Sequence, residues 1–207
     1  MEFQKFESIP RLSKDCTITE KLDGTHAQII VTTMEGCFDG SDFAQSYALG
    51  VKDNLVIFAD SRNRWLKIGN DNFGFADWGK NNSEELFDLG EGRHYGEWVG
   101  FRVQRGYGLK ERRFYLFDTS KWNEGGTPEE FLTEKQSWCP PCCYVVPVLF
   151  EGVFTTENIE STLKTLKEHG SYIVPFLNPE GVVIYHKAAG SYFKKTFEND
   201  IHKYEKM

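Results

Sequence analysis

Lys21 is the residue best suited to covalent chemistry, and it lies in the segment Thr-Glu-Lys-Leu-Asp-Gly-Thr, residues 19–25. A lysine amine can act as a nucleophile, but a free lysine has a pKa of about 10.4 and is almost fully protonated at neutral pH. It needs nearby positive charge, from a metal ion or a second lysine, to favour its neutral form. A lysine between acids is ordinarily a surface lysine, and this short pattern is weak by itself.

Further segments with chemically capable side chains follow Lys21 at intervals along the chain. Most of them lie in or directly after short runs that predict strands. They are, in order, Ser61-Arg62-Asn63-Arg64, Gly96-Glu97-Trp98-Val99-Gly100, Phe114-Tyr115-Leu116-Phe117-Asp118, Glu180-Gly181-Val182-Val183 and Tyr192-Phe193-Lys194-Lys195-Thr196.

This series resembles the motifs of the covalent nucleotidyltransferases, the superfamily of ATP- and NAD-dependent ligases and mRNA capping enzymes. The six nucleotidyltransferase motifs appear in the family order between residues 20 and 196, which is nearly the whole chain. Any single match would carry little weight, whereas six in order are hard to obtain by accident. The resemblance implies that residues 1–207 form a single nucleotidyltransferase domain.

The resemblance implies a catalytic role for Lys21, Glu180 and Lys194. Lys21 would attack the α-phosphate of ATP, release pyrophosphate and hold AMP as a phosphoramidate. Lys194 matches the late lysine that meets the α-phosphate, where its charge would favour the neutral Lys21 amine and offset the charge of the transition state. The family motif often reads Lys-x-Lys, so Lys195 is an alternative for this contact.

The resemblance also implies a nucleotide site with a divalent cation, Mg²⁺ or Mn²⁺. Glu97 and Glu180 match the two acidic positions that touch the ribose and hold the metal, because carboxylates are suitable ligands for such ions. The expected nucleotide-binding set is Glu20 at the adenine side, Lys21, Asp23, Arg62 near the ribose, Glu97, Phe117, Glu180, Lys194 and Lys195.

Phe117 is expected to stack on adenine, an interaction of about 1–3 kcal/mol per base. Phe114 is expected in the core because it lies on the opposite register of the same strand. The reverse assignment of these two phenylalanines stays open.

Two features direct the resemblance towards the RNA ligases typified by phage RNA ligase 2. His26 occupies the place where DNA ligases and capping enzymes usually carry an arginine, and few residues follow Thr196, so no OB-fold is expected. Residues 71–76 and 104–108 also look like segments of that group. The resemblance therefore implies an ATP-dependent RNA ligase that adenylates Lys21, transfers AMP to a 5′-phosphate and seals it to a 3′-OH. The alternatives are a minimal ATP-dependent DNA ligase and an inactive nucleotide- or RNA-binding module.

A local basic strip predicts where nucleic acid would lie. The net charge of −7 argues against nonspecific coating of nucleic acid. Basic residues nevertheless cluster at Arg102, Arg105, Lys110, Arg112 and Arg113, and such a strip can hold a phosphate backbone, although charge runs are often solvated loops. The expected partner is nicked or broken RNA, or an RNA–DNA hybrid. A protein partner could replace the C-terminal domain that phage RNA ligase 2 uses at nicks.

The five cysteines and the composition predict a cytoplasmic protein, in the host cytoplasm if a phage encodes it. No run approaches the ~20 apolar residues of a membrane span, and no signal peptide is visible. An odd cysteine count without a secretory signal indicates reduced thiols. The segment Cys139-Pro-Pro-Cys142-Cys143 lacks the second ligand pair of a structural zinc site.

The hydrophobic patterns predict an α+β fold with two mainly antiparallel sheets and flanking helices. Strands are expected at 27–33, 56–58, 113–117 and 182–185, with a turn at 34–36. Helices are expected at 83–89 and at 157–169, the second capped by Thr156 and burying a stripe of Ile159, Leu163 and Leu166. Strands outnumber helices without alternating with them, which is typical of α+β folds. Residues 119–141 predict a long loop within the domain.

Overall fold

The computed structural model describes residues 8–36, 41–122 and 139–198. Within these ranges the strands are β1 (Asp15–Lys21), β2 (Thr25–Thr33), β3 (Gly50–Lys52), β4 (Leu55–Ser61), β5 (Trp65–Leu66), β6 (Gly92–Gly100), β7 (Arg112–Leu116), β8 (Cys143–Val145), β9 (Val148–Val153), β10 (Gly181–His186) and β11 (Ser191–Thr196). The α-helices are α1 (Ser41–Tyr47), α2 (Phe75–Asn81), α3 (Ser83–Leu86), α4 (Thr119–Trp122) and α5 (Thr156–His169), with 3₁₀ turns at Met34–Gly36 and Phe87–Leu89.

The chain divides into two compact units. Unit 1 takes in Met1–Lys21, Val148–Ser171 and Leu177–Met207, as far as these are described, and unit 2 takes in Leu22–Pro147 and Tyr172–Phe176. The fold class predicted from the sequence is confirmed, because each unit is built on one mainly antiparallel sheet with helices beside it.

Unit 1 contains a four-stranded antiparallel sheet in the order β11-β10-β1-β9. Buried Ile18, Val182 and Ile184 lie on one face of this sheet, and α5 packs against the strands with Leu163 and Leu166 buried. Successive side chains of a strand point to opposite faces, so the intervening residues of β1 and β10 form a second, more polar face. Lys21 is the last residue of β1.

Unit 2 contains a seven-stranded sheet in the order β3-β4-β2-β6-β7-β8, with β5 paired to β4. All pairings are antiparallel except the parallel pair β7–β8. One face carries the main core, in which Trp98, Phe114 and Phe75 pack together with ring centroids 5.0–5.2 Å apart. On the opposite face, His26, Gln28, Tyr95 and Glu97 lie between two smaller apolar clusters, one around Ile30 and one around Val99.

The predicted strands all form, and the predicted helices form with two differences. Residues 83–89 are α-helical only over Ser83–Leu86 and then tighten into a 3₁₀ turn, where the Gly90 N–H donates to the Phe87 carbonyl. The predicted cap Thr156 is wrong by one residue, because the Thr155 hydroxyl accepts the N–H of Asn158 and Thr156 is already helical.

The predicted loop at 119–141 begins with helix α4, and residues 123–138 of it lie outside the described part of the chain. The turn predicted after β2 is a 3₁₀ turn at Met34–Gly36.

Candidate active site

Lys21 makes an ion pair with Glu180 in unit 1. Its Nζ donates to Glu180 Oε2 at 2.7 Å, and the two side chains are only 22% and 19% exposed. The pairing register places Lys21 opposite Gly181, the first residue of β10, so Glu180 lies directly before β10 and next to Lys21. A side chain on Gly181 would lie 2.2 Å from the Lys195 carbonyl oxygen, and its φ of 151° also favours glycine at this position.

The strand register separates Lys194 from Lys195. Lys194 lies opposite Val183, which lies opposite Thr19, and Thr19 shares a face with Lys21 two residues further along β1. Lys195 points to the other face, where it donates to Glu160 of α5. Lys21 and Lys194 are therefore on one face of the sheet, and Lys195 is on the face that packs against the helix.

Glu20 also lies on the face opposite to Lys21. Its register partner is Val182, and the side chain is 1% exposed. This places a buried carboxyl among the core residues of unit 1, next in sequence to the candidate nucleophile. Its expected role at adenine stays a prediction.

In unit 2, the residues directly after Lys21 are held by hydrogen bonds to side chains from β6 and the loop that follows it. The Asp23 N–H donates to the Tyr107 hydroxyl at 2.7 Å, and Arg105 Nε donates to Asp23 Oδ2 at 2.9 Å. The Gly24 N–H donates to Glu97 Oε1 at 3.1 Å. Two predicted site residues, Asp23 and Glu97, thus meet at one short turn.

The polar face of the seven-stranded sheet carries a group of aromatic rings. His26 lies opposite Glu97 on β6, and its ring centroid is 6.1 Å from those of Tyr95 and Phe117. Phe117 is 38% exposed, whereas Phe114 is fully buried in the core, as expected. This face offers a partly open aromatic surface next to a carboxylate, which suits a stacked base and its sugar.

Arg62 contributes positive charge near this group. It follows β4 and is exposed, and burial together with the charge of Arg62 lowers the pKa of His26 below its ordinary value. His26 is therefore neutral at physiological pH, so its imidazole can serve as either donor or acceptor to a neutral base.

The five residues of the predicted basic strip differ in what they touch. Arg105 binds Asp23, and Arg113 binds Glu111 at 2.7 Å. Arg102 lies over the exposed ring of Phe101, Arg112 Nε donates to the Phe101 carbonyl, and Lys110 is exposed. The strip is therefore not one uniform row of solvated charges.

The donor set predicted for a divalent cation is chemically suitable, since Glu97 and Glu180 supply hard carboxylate oxygens of the kind that Mg²⁺ and Mn²⁺ bind. Glu180 already neutralises a cation, the Lys21 ammonium, at 2.7 Å. Among the described residues no cluster of three or more His, Cys, Asp or Glu side chains is positioned to bind a metal. The two glutamates belong to different units.

The cysteine segment is held by sulfur contacts within unit 2. The Cys142 and Cys143 sulfurs are 3.8 Å apart, and the Cys139 thiol donates to the Cys143 carbonyl at 3.3 Å. The contact with Cys142 and burial raise the pKa of the Cys143 thiol. These cysteines and Cys16 are free thiols.

A sequence model of the RNA ligases matches residues 14–204 of the chain. The chain belongs to the RNA ligase family. No curated protein sequence matches it.

The fold of this chain is similar to that of solved Naegleria gruberi RNA ligase variants. One variant, with ATP and Mn, is 20% identical over 89% of this chain and 49% of its own, with a TM-score of 0.55. Another, with AMP and Mn, gives the same identity and TM-score over 89% and 50% of the two chains. The present chain spans about half the length of these ligases.

Sequence reasoning did not assign a site role to three residues that lie at the candidate site. His26 was used only to distinguish groups of ligases, whereas its ring lies 6.1 Å from those of Tyr95 and Phe117. Alternation along β2 could have placed His26 on the face opposite to core residues Ala27 and Ile29. Nothing in the sequence pointed to Tyr95 or to the hydroxyl of Tyr107.

No helix among the described residues is long and apolar enough to cross a membrane.

Proposed function

We propose that this chain is an ATP-dependent RNA ligase that carries AMP on Lys21. The observation that supports this most directly is the pairing of the Lys21 amine with Glu180 at 2.7 Å, with Lys194 on the same face of the sheet. A nucleophilic amine, a carboxylate and a second cation are the groups that lysine adenylation requires.

In the first step the Lys21 Nζ transfers a proton to solvent and attacks the α-phosphorus of ATP. The N–P bond forms, the bond from the α-phosphorus to the bridging oxygen breaks, and pyrophosphate leaves with the bond electrons. An ammonium cannot attack, so the positive charge of Lys194 would help by favouring the neutral amine. Lys194 would also offset negative charge that builds on the phosphate oxygens.

The carboxylates of Glu180 and Glu97 are the groups that would hold a divalent cation. When bound, Mg²⁺ or Mn²⁺ supplies positive charge that neutralises the phosphate oxygens. The structural neighbours with Mn and either ATP or AMP are consistent with this choice. Glu180 contacts the Lys21 ammonium at 2.7 Å, so the same carboxylate pairs with the amine here and would pair with the cation when one is bound.

The adenosine would lie on the polar face of unit 2. Phe117 would stack on the base, Glu97 would contact the ribose, and Arg62 would approach the ribose and the incoming 5′ end. The exposure of Phe117 and the neutral state of His26 support a base at this surface. Glu20, Asp23 and Lys195 remain assigned to the nucleotide by resemblance alone.

In the later steps the RNA takes the place of pyrophosphate. A 5′-phosphate oxygen attacks the AMP phosphorus and breaks the Lys21 N–P bond, and the Lys21 amine takes up a proton as it leaves. A 3′-OH then attacks the 5′-phosphate, loses its proton to solvent, and releases AMP with the electrons of the broken bond. Arg102, Lys110 and Arg112 would hold the strand backbone, since their charged groups are not in ion pairs among the described residues. We also propose that residues 1–207 act as a single nucleotidyltransferase domain, because the motifs of the resemblance are distributed over both units.

RNA is the proposed substrate, either nicked or broken, or paired with DNA. A minimal DNA ligase would use the same chemistry, and the two differ in the strand that supplies the 3′-OH. Sealing of nicks with RNA at the 3′-OH side, compared with all-DNA nicks, separates them. The free thiols of Cys16, Cys139, Cys142 and Cys143 fit a reducing compartment, and we place the enzyme in the cytoplasm.

The decisive experiment incubates the protein with ATP labelled at the α-phosphate and a divalent cation, without RNA. The wild type should form an acid-labile adduct that survives denaturing electrophoresis, and Lys21→Ala should form none. Lys14→Ala, which removes an exposed lysine near the start of β1, should keep the adduct and is the matched control. An absent adduct in the wild type, or an adduct in Lys21→Ala, refutes the proposal and leaves an inactive binding module as the better account.

A further inference from the structure

The loop between β6 and β7 has an unusual backbone, and two of its polar side chains point inward beside the buried Val103. Left-handed φ values occur at Gly100, Arg102, Gln104, Gly106, Tyr107 and Gly108, three of which are not glycine. Successive tight turns form as the N–H groups of residues 103, 106 and 109 donate to the carbonyls three positions earlier. Left-handed non-glycine residues are costly and persist where surrounding contacts require them.

The two polar side chains that point inward are Arg105 and Tyr107. The Arg105 side chain is 15% exposed, and Tyr107 is 2% exposed. Tyr107 packs beside Phe176 with ring centroids 5.0 Å apart and belongs to a cluster that includes Leu22 and Val99. A basic side chain that binds RNA would instead be expected to keep its charged group in solvent.

Both side chains make hydrogen bonds to Asp23. The Tyr107 hydroxyl accepts the Asp23 N–H at 2.7 Å, and the Arg105 guanidinium donates to the Asp23 carboxylate at 2.9 Å. Together with the bond from the Gly24 N–H to Glu97, these contacts hold the backbone and the side chain of the turn that begins at buried Leu22. Leu22 is joined to Lys21 by a peptide bond.

We propose that Arg105 and Tyr107 are positioning residues for lysine adenylation, acting through Asp23, and that Arg105 is not an RNA contact. This inference rests on the proposed function. Arg105 neutralises the Asp23 carboxylate, which would otherwise present uncompensated negative charge two residues from the amine that meets a triphosphate. Tyr107 fixes the backbone at the same residue, so the pair limits the positions that Lys21 can adopt.

Positioning the turn and binding RNA are two roles of Arg105 that predict opposite effects on the self-adenylation rate and the RNA affinity. They can be separated because self-adenylation uses ATP without RNA. If Arg105 positions the turn, Arg105→Ala lowers the rate constant of self-adenylation by roughly 10-fold or more, the effect of losing a charge-assisted hydrogen bond. The RNA affinity of the protein then stays within roughly 2-fold of wild type, since no phosphate contact is lost. If Arg105 binds RNA, self-adenylation stays at the wild-type rate and the RNA affinity falls.

Further variants separate positioning from loss of folding. Tyr107→Phe keeps the ring in its cluster and removes the hydroxyl, so it should slow self-adenylation while the melting temperature stays close to that of wild type. Arg105→Lys should recover part of the rate. The double variant Arg105→Ala with Asp23→Asn should be no slower than the slower single variant, because both act through one contact. Lys52→Ala removes an exposed ion pair with Glu84 elsewhere in unit 2 and should leave the rate unchanged.

The results that overturn the inference are distinct from those that overturn the proposed function. If the wild-type protein forms no adduct with labelled ATP, the proposed function is refuted. If the wild type forms the adduct, and Arg105→Ala and Tyr107→Phe adenylate at the wild-type rate, only the positioning role is refuted. Rates that fall only in parallel with the melting temperature also remove it.

Discussion

Lys194 and Lys195 are adjacent in sequence, but replacing them should have very different consequences for self-adenylation. Lys194 lies on the face that carries Lys21, and Lys195 lies on the face that packs against α5. Their separation follows from the alternation of side chains along β11.

The sheet geometry shows that Lys21 and Lys194 can reach a common phosphate. They are two strands apart and offset by two residues, which at ~4.8 Å per strand and ~3.4 Å per residue gives a Cα separation of roughly 12 Å. An extended lysine side chain reaches roughly 6 Å, with bonds of about 1.5 Å. The two amines can therefore approach one α-phosphate from the same face. The Lys195 amine, on the other face, donates to Glu160.

The rate of self-adenylation measured with labelled ATP tests this assignment. Loss of one preorganised charge at a transition state lowers the rate roughly 10²–10³-fold, so the self-adenylation rate of Lys194→Ala should be lower than that of wild type by this factor. Lys195→Ala removes an ion pair that is partly exposed and contributes about 0–1 kcal/mol to stability, so its rate should stay close to wild type. Equal losses in the two variants, or a greater loss in Lys195→Ala, would refute the reasoning from strand register.

Two further predictions concern stability. Gly24→Ala places a Cβ 2.3 Å from the Trp98 carbonyl oxygen, so we expect a loss of about 1–3 kcal/mol, or ~2–4 °C in melting temperature per kcal/mol. Gly69→Ala meets no atom within 4 Å but has a φ of 75°, so it should lose only about 1 kcal/mol; a smaller loss for Gly24→Ala would contradict the packing argument. Burial lowers the pKa of His94 below 6.5, so the unfolded chain takes up the proton first and the free energy of unfolding falls as the pH drops through 6.5. Urea unfolding at about pH 7.5 and about pH 5.5 measures this loss of unfolding free energy, which should be smaller in His94→Gln than in wild type. The loss that remains in the variant is expected from His26, whose pKa is also lowered. If the variant and the wild type lose the same unfolding free energy, the assignment to His94 is wrong.

The strands β2, β4, β7 and β10 and the faces of Phe114 and Phe117 could be predicted because their physical cause is local, whereas β1, which ends at Lys21, was not predicted. Runs of β-branched residues indicated β2 and β10, and a period of two placed Phe114 in the core and Phe117 on the opposite face. The start of α5 was misplaced by one residue because Thr155 and Thr156 are equally good caps by type. Only the backbone conformation distinguishes them.

The assignment of individual lysines and arginines could not be predicted, because it depends on pairing between distant segments. The choice between Lys194 and Lys195 requires the register of β11 on β10 and of β10 on β1. The partner of Arg105 lies 82 residues earlier in the chain, so a count of local charge could not separate it from Arg102. Charge runs describe composition, whereas burial and partners decide whether a charge is available to RNA.

The two sheets divide the candidate residues by the chemistry they would perform. Unit 1 holds the groups that would act on phosphorus, Lys21, Glu180 and Lys194, on the polar face of its sheet. Unit 2 holds the aromatic surface around Phe117 that would bind the base, together with the turn after Lys21. Lys21 is the last residue of one unit and Leu22 is the first of the other, so the nucleophile is joined by one peptide bond to the turn that the unit 2 side chains hold. In the proposed reaction that bond would link the Lys21 amine to the turn that the unit 2 side chains hold, so contacts to Asp23 should matter for a step that involves no RNA.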